Sequence, residues 1–288
     1  MTHPRLSLNQ ATIKYAPLDD ALRVTADAGY SSIGLWREPV QEVGLAEAVK
    51  MVEGSGLRVS SMCRGGFFTL PEGPARRAAI DDNRRAIDET AAVGAPTLVL
   101  VAGGLVDGSR DLIGARSLVT DAVGELAEYA REAGVTLAIE ALHPMYASDR
   151  AVISTLGQAL DIAEQFDPEA VGVVVDTFHI WWDPQVLEQI ARAGSTGRIA
   201  SYQVCDWATP IAADALLSRH YPGDGVIDFG SLTDAVMATG YTGDIEVEIF
   251  NQPIWDSAWP DVARRTAEAF DAVVAPHLDP VATPVSAG

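Results

Sequence analysis

Two features that mark membrane and secreted proteins are missing from this chain of 288 residues. It has no run of about 18 apolar residues, so we expect no transmembrane helix and no membrane partner. Its first segment, MTHPRLSLNQ, lacks the basic-then-apolar pattern of a signal peptide. The sequence therefore predicts a cytoplasmic protein.

Cysteines and basic residues are also scarce. The two cysteines, Cys63 and Cys205, lie far apart and neither belongs to a CxxC pair, which predicts two reduced, buried thiols. The 20 Lys and Arg residues are outnumbered by 40 Asp and Glu, and the net charge is −20. Such a surface repels a phosphate backbone, so we expect no DNA or RNA partner.

Short β-branched segments alternate with longer amphipathic stretches along the whole chain. Eight strands alternating with eight helices predict a single (β/α)8 barrel, a fold of about 250 residues. The strands are expected at 6–10, 31–36, 57–63, 97–102, 135–141, 171–176, 199–205 and 244–250. The helices are expected at 17–28, 43–54, 74–93, 112–133, 154–166, 184–194, 228–239 and 258–274. We expect the barrel to cover residues 1–275, followed by a loose tail at 276–288.

Glycines support these boundaries. Five of them each follow a helical candidate and precede a strand, as expected where a helix ends in a left-handed residue. They are Gly29, Gly56, Gly94, Gly134 and Gly240.

Polar residues occur late in the strands of the second half of the chain. The fifth strand ends in Glu140, the sixth ends in Asp176, and the seventh carries Gln203. The eighth strand carries Glu246 and Glu248. The C-terminal ends of barrel strands form the catalytic face, so these side chains are expected to converge there.

Converging carboxylates repel each other unless a cation lies among them. The cluster therefore predicts a bound divalent metal ion. The alternative is that interior arginines neutralise the acids, and Arg64 and Arg219 are the candidates.

Histidines and aromatic residues are placed near the same face. His143 follows Glu140 by three residues, and His179 follows Asp176 by three, so both are expected over the barrel mouth. His220 is as easily structural as functional. Aromatic residues in predicted loops suit a sugar platform, a cover for the rim or a subunit interface. These residues are Trp36, Phe67, Phe68, Phe178, Trp181, Trp182, Trp207 and Trp255.

Several of these segments resemble the xylose-isomerase-like barrel superfamily of sugar isomerases and epimerases. The segments are DTFH at 176–179, QVCD at 203–206, RHYPGDGVIDF at 219–229 and YTGDIEVEIF at 241–250, together with Glu140. The resemblance covers about 6–275, and the relatives include ketose 3-epimerases, hydroxypyruvate isomerases, inosose dehydratases and the large subunits of C-glycoside deglycosidases. An endonuclease branch matches poorly, because it needs a histidine-rich zinc cluster and this chain has 5 histidines.

The resemblance implies one metal ion held by residues of four consecutive strands. The implied ligands are Glu140, Asp176, Gln203 and Glu248, with Gln203 in the place of the usual histidine. Such an all-oxygen site favours Mn²⁺ or Mg²⁺ over Zn²⁺. The resemblance also implies that His179 and Arg219 contact the substrate. Our further candidates for substrate binding are Trp36, Arg64 and Glu246.

The activity expected on this basis is isomerisation or epimerisation of a small sugar or keto-sugar through an enediolate. Glu140 and Glu248 would remove and return the proton, and His143 could be a further acid or base. Three alternatives stay open: a lyase or dehydratase, a non-catalytic sugar-binding barrel, and a subunit that needs a partner chain. A homo-oligomer is also expected from the resemblance. The glycine-rich segments at 64–68 and 102–110 are either tight turns or a phosphate cradle.

Overall fold

The computed structural model describes residues 2–278 and contains eight parallel strands that close into one barrel. The barrel strands are β1 (Leu6–Asn9), β2 (Ser32–Trp36), β3 (Arg58–Gly66), β4 (Thr97–Val101), β5 (Thr136–Glu140), β6 (Val171–Asp176), β7 (Ile199–Val204) and β10 (Ile245–Val247). Their order around the barrel follows the chain, and β10 closes it against β1. Two short strands, β8 (Asp206–Trp207) and β9 (Arg219–His220), form an antiparallel pair outside the barrel. The predicted fold is confirmed.

Helices connect the strands and cover the barrel. They are α1 (Leu18–Asp27), α2 (Arg37–Val43), α3 (Leu45–Ser55), α4 (Pro74–Ala92), α5 (Leu112–Glu132), α6 (Leu156–Ala163), α7 (Thr177–Ile180), α8 (Val186–Ser195), α9 (Phe229–Ala238), α10 (Gln252–Trp255) and α11 (Trp259–Val273). Each predicted helix has a counterpart, and α2, α7 and α10 are additional short helices beyond strand ends. Within the part of the chain that the structure describes, no helix has the length and apolar character to cross a membrane.

The five glycines that mark helix ends adopt the left-handed conformation. Their φ angles lie between 72° and 83°. A side chain at such a residue would clash with its own backbone, and glycine avoids this. Because each glycine stops a helix just before a strand, the helix–strand spacing is set locally.

The barrel interior is divided into an apolar and a polar part. Alternate residues of a strand point inward. On one side the inward residues are apolar, and Cys63, Val99, Ala138 and Val174 pack together there. The register places Asp176 opposite Gln203, and Gln203 opposite Glu246. The polar residues that the sequence analysis placed late in the strands therefore share the interior of the barrel.

Both cysteines are buried and unpaired, as predicted. The predicted tail begins inside the described region. His277 lies 2.8 Å from Asp234 through Nδ1 and Oδ1, and Leu278 is buried. The remainder of the predicted tail, 279–288, lies outside the described residues.

Candidate active site

A cavity of about 940 Å³ opens at the C-terminal end of the barrel. Glu140, His179, Arg219 and Glu248 line it together with aromatic and charged residues from the strand ends and loops. These wall residues include Lys14, Trp36, Arg64, Phe67, Arg150, Phe250 and Trp255. The cavity lies on the face where barrel enzymes carry their active sites.

Three buried carboxylates meet at this cavity. Glu140 ends β5, Asp176 ends β6 and Glu248 directly follows β10, and each side chain is at most 5% exposed. Burial, reinforced by the charges of Asp176 and Glu248, raises the pKa of Glu140 well above its usual value. Burial also raises the pKa of Glu248 to about 7, against the opposing effect of Arg219. The protein therefore holds negative charge here at a cost in desolvation.

Arg219 is the cation that the structure places among these acids. Its Nη1 atom lies 3.1 Å from Asp176 Oδ2 and 3.1 Å from Glu248 Oε2. The guanidinium is fully buried and packs over the rings of Phe178 and Phe250. The alternative of interior ion pairs thus holds for Arg219. One arginine cannot balance all three carboxylates in their ionised form, and the raised pKa values of Glu140 and Glu248 are consistent with a cluster that can accept further positive charge.

The hydrogen bonding of His179, beside the same carboxylates, is also incompletely satisfied. Its Nδ1 accepts a hydrogen bond from the backbone N–H of His143 at 3.1 Å, and its Nε2 lies 2.8 Å from Arg219 Nη2. Burial, reinforced by Arg219, lowers the pKa of His179 well below its usual value, so the ring is neutral. A neutral imidazole has one acceptor nitrogen, yet both nitrogens face donors. The neutral ring can therefore accept a hydrogen bond from only one of these two donors, Arg219 or the His143 N–H.

The donor atoms fit a divalent cation. Oxygen atoms of Glu140 and Asp176 and a ring nitrogen of His179 lie within 4.8 Å of one another. Among the described residues, Gln203 Oε1 is buried and accepts no hydrogen bond, and Asp176 Oδ2 accepts none although it forms an ion pair with Arg219 Nη1. Buried oxygens without a donor are unusual and are satisfied when they coordinate a cation. The set therefore suits a hard cation, and His179 is a candidate ligand beyond those that the sequence analysis named.

Gln203 is oriented by the layer beneath it. Its Nε2 donates to Glu246 Oε1 at 3.1 Å. Because the amide nitrogen faces a carboxylate, the amide oxygen points elsewhere, and it is this oxygen that lacks a donor. The orientation is the one that a cation ligand needs.

Glu246 lies below the cavity, not on its wall. Ser60 Oγ donates to its Oε2 at 2.9 Å, and Ser61 Oγ donates to its Oε1 at 2.8 Å. Burial raises the pKa of Glu246, and these hydroxyls with Gln203 oppose the rise. Gly34 makes room for the carboxylate, since a Cβ there would lie 1.8 Å from Glu246 Oε2. Substrate contact by Glu246 stays a prediction, while its observed contacts are with Ser60, Ser61 and Gln203.

His143 lies beside the cavity with its ring turned away from the carboxylates. The ring packs 5.0 Å from Trp207 and 5.5 Å from Trp182, measured between centroids, and it is absent from the cavity wall. Its backbone N–H is what reaches the site, through His179. A role for this imidazole as acid or base stays a prediction.

Asp206 organises the loop that follows β9, the strand that carries Arg219, and the sequence analysis missed this role. Its carboxylate accepts hydrogen bonds from the backbone N–H groups of Trp207, Gly223, Gly225 and Ile227, at 2.8 to 3.0 Å. The signal was present as the last residue of QVCD and the two glycines of YPGDG. Gly225 is required because a Cβ would lie 2.4 Å from Asp206 Oδ1.

The segment at 64–68, expected to be either a tight turn or a phosphate cradle, is instead the end of β3 (64–66) and the two residues that follow it. The N–H groups of Gly66, Phe67 and Phe68 donate to Asn83 Oδ1 and to the carbonyl oxygens of Val101 and Ala102. They are therefore not available to cradle a phosphate. Arg64 at the start of this segment and Trp36 both line the cavity, and their contact with substrate stays a prediction.

Known proteins resemble this chain in sequence and in fold. A 3-dehydroshikimate dehydratase of Pseudomonas putida is 34% identical over 161 residues, which are 54% of this chain and 23% of that protein. An inosose isomerase of Halalkalibacterium halodurans is 24% identical over 155 residues, 54% of this chain and 53% of that protein. The chain thus spans about a quarter and about half of these two relatives, both of which are enzymes.

A solved structure matches nearly the whole chain. It is a crystal structure of a protein from Sinorhizobium meliloti 1021, with a TM-score of 0.90 and 45% sequence identity, and the match covers 93% of this chain and 98% of that one. Residues 22–273 match the family described as xylose isomerase-like TIM barrel. The chain belongs to the xylose isomerase-like TIM-barrel family.

Proposed function

We propose that this protein is a divalent-metal-dependent isomerase or epimerase of a small sugar or keto-sugar, acting through an enediolate. One observation carries the proposal. Three buried carboxylates and the free amide oxygen of Gln203 converge at the cavity floor with one arginine among them. Neutral polyol binding alone does not call for so many buried acids.

The residues that would hold the ion are Glu140, Asp176, Gln203 and Glu248, with His179 as a further candidate. An oxygen-rich set favours Mn²⁺ or Mg²⁺. When bound, such an ion supplies a Lewis acid that polarises a substrate carbonyl and stabilises the negative charge that develops on its oxygen.

The carboxylates of Glu140 and Glu248 would move the proton. They come from β5 and from the end of β10, which β6 and β7 separate in the barrel. A substrate between them meets one carboxylate on each side. One carboxylate would take a proton from the carbon next to the carbonyl, and the other would return it to the opposite face or to the neighbouring carbon. His179 and Arg219 would bind substrate oxygens.

A dehydratase is the second candidate. In that reaction the same proton abstraction is followed by loss of a β-hydroxyl group, which leaves as water after protonation. The similarity to the dehydratase of P. putida, at 34% identity, favours this outcome over other lyases. Both candidates need the same first step, so one experiment addresses both.

The test is exchange of substrate hydrogen with solvent deuterium. The protein is loaded with Mn²⁺ and incubated in D₂O with a panel of ketoses, inososes and 3-keto-glycosides, and deuterium on carbon is followed by NMR. Glu248→Gln should slow exchange by about 10²- to 10⁴-fold. Exposed Glu268→Gln on α11 is the matched control and should leave the rate unchanged. Exchange at the wild-type rate in E248Q would contradict the role of Glu248. Binding without exchange or turnover would favour a sugar-binding barrel.

A further inference from the structure

Arg64 is a half-buried cation without an anionic partner in a strongly acidic chain. Acidic residues outnumber basic ones 40 to 20. Among residues 2–278, no carboxylate oxygen lies within 4.0 Å of its guanidinium, and its side chain donates no hydrogen bond. The other arginines of the cavity do have carboxylate neighbours, namely Asp176 and Glu248 for Arg219, and Asp149 and Asp214 for Arg150.

Two aromatic rings hold this guanidinium in place. Its central carbon lies 5.5 Å from the centroid of the Trp36 ring and 5.1 Å from that of Phe67. Trp36 is itself fixed, because its indole N–H donates to Asn9 Oδ1 at 2.9 Å. Rings attract the flat face of a guanidinium and leave its N–H edge free for an acceptor. The stack therefore orients Arg64 without consuming its donors.

Phe67 adopts an unfavourable backbone conformation beside Arg64. Phe67 is not a glycine, yet its φ angle is positive, at 61°. The residue is 44% exposed. Bulky residues rarely adopt this conformation, and such strain is concentrated at binding sites. The backbone N–H of Phe67 donates to the carbonyl oxygen of Val101, which anchors this strained backbone, and Phe67 lines the cavity.

We propose that Arg64 binds an anionic oxyacid group of the substrate, a carboxylate or a phosphate, through the free edge of its guanidinium. Two parallel hydrogen bonds from this edge match both kinds of group. Arg64 lines the same cavity as Glu140 and Glu248, so the anionic group would be bound on the wall while the reacting carbon faces the carboxylates. This inference rests on the proposed function for the identity of the cavity as the substrate site.

The chain's overall charge makes a local cation necessary for binding any anionic substrate. A net charge of −20 disfavours the approach of an anionic substrate, so a site for one requires a local cation. A neutral sugar would displace water from the free edge of the guanidinium without supplying an opposite charge.

The experiment compares three six-carbon probes by isothermal titration calorimetry: sorbitol, gluconate and sorbitol 6-phosphate. Wild type should bind gluconate or sorbitol 6-phosphate, or both, more tightly than sorbitol. Arg64→Gln should weaken binding of the preferred anion about ten- to a hundredfold and leave sorbitol within about twofold. Arg64→Lys should fall between, because it keeps the charge but loses the planar fork. Arg77→Gln removes an exposed arginine outside the cavity and is the matched control.

Every outcome decides the matter. A preference for gluconate identifies a carboxylate site, and a preference for sorbitol 6-phosphate identifies a phosphate site. Equal binding of all three probes, no binding of any, or an equal loss for all three in R64Q would overturn the inference. The titrations are run with and without Mn²⁺. If Mn²⁺ does not bind, the proposed function fails, whereas the anion preference is still read from the metal-free protein.

Discussion

Buried carboxylates lie in two layers of this barrel, one in the lower layer and three in the upper. The layers differ in the hydrogen bonds that their carboxylates accept. Glu246, in the lower layer, accepts hydrogen bonds from Ser60, Ser61 and Gln203. In the upper layer, Asp176 Oδ2 accepts no hydrogen bond from the described residues, and the cation that it contacts, Arg219, is shared with Glu248. Both groups are shielded from water. Burial alone therefore does not separate a structural carboxylate from a functional one.

What separates them is the supply of donors. The lower carboxylate is surrounded by hydroxyls and an amide, so it is stable without any ligand. The upper carboxylates face one another and a single guanidinium, so their charge is incompletely balanced. A site that is satisfied by its own protein supports the fold, whereas one that is unsatisfied is ready for a ligand.

The largest expected difference between the two layers is in stability. Glu246→Gln places an amide N–H₂ among donors and should lower the free energy of unfolding by about 1–3 kcal/mol. Glu140→Gln, the matched change in the upper layer, replaces a carboxyl group whose ionised form its neighbours repel, so stability should be unchanged or higher. Urea unfolding of the chelator-treated proteins measures both. A larger loss in E140Q than in E246Q would reverse the comparison.

The second expected effect links the layers through Gln203. If Glu246 holds the amide so that its oxygen faces the ion, Glu246→Gln should weaken Mn²⁺ binding about 10- to 100-fold. In a Gln203→Ala background the same change should have little further effect, because the group that Glu246 orients is gone. Calorimetric titration with Mn²⁺ measures the cycle. Equal losses in both backgrounds would show that Glu246 acts by another route.

How far the sequence predicts this arrangement depends on the range of the contacts. Strand ends, helix stops such as Gly94 and the inward direction of Glu140 and Asp176 follow from local patterns, and the structure confirms the strands and helices. The bonds from Ser60 and Ser61 to Glu246 cross the barrel between residues about 185 positions apart. No local pattern reveals such a contact.

The same distinction explains the histidines and the loop. The spacing predicts both His143 and His179 over the mouth. His179 lines the cavity, whereas the His143 ring packs against Trp207. The hydrogen bonds that Asp206 accepts from three backbone N–H groups of the loop after β9 likewise depend on tertiary structure.

A further expected effect is a pH dependence of the upper layer. The pKa of Glu248 is about 7 in the folded protein and about 4.3 in an unfolded chain, so between these values the native state binds more protons. This contribution to stability is therefore present below about pH 4.3 and is lost as the pH rises through about 7. The melting temperature of metal-free wild type, followed from pH 5 to pH 8, should fall more steeply than that of Glu248→Gln. Parallel profiles would contradict this assignment.

The central claim is that the upper layer is a metal site, and the metal content of the protein tests it most directly. The purified chain is stripped with a chelator, reloaded with Mn²⁺ and desalted, and elemental analysis is combined with thermal melting. We predict about one ion per chain and a raised melting temperature. No retained ion and an unchanged melting temperature would show that Arg219 alone balances these carboxylates, and the metal-dependent mechanism would be wrong.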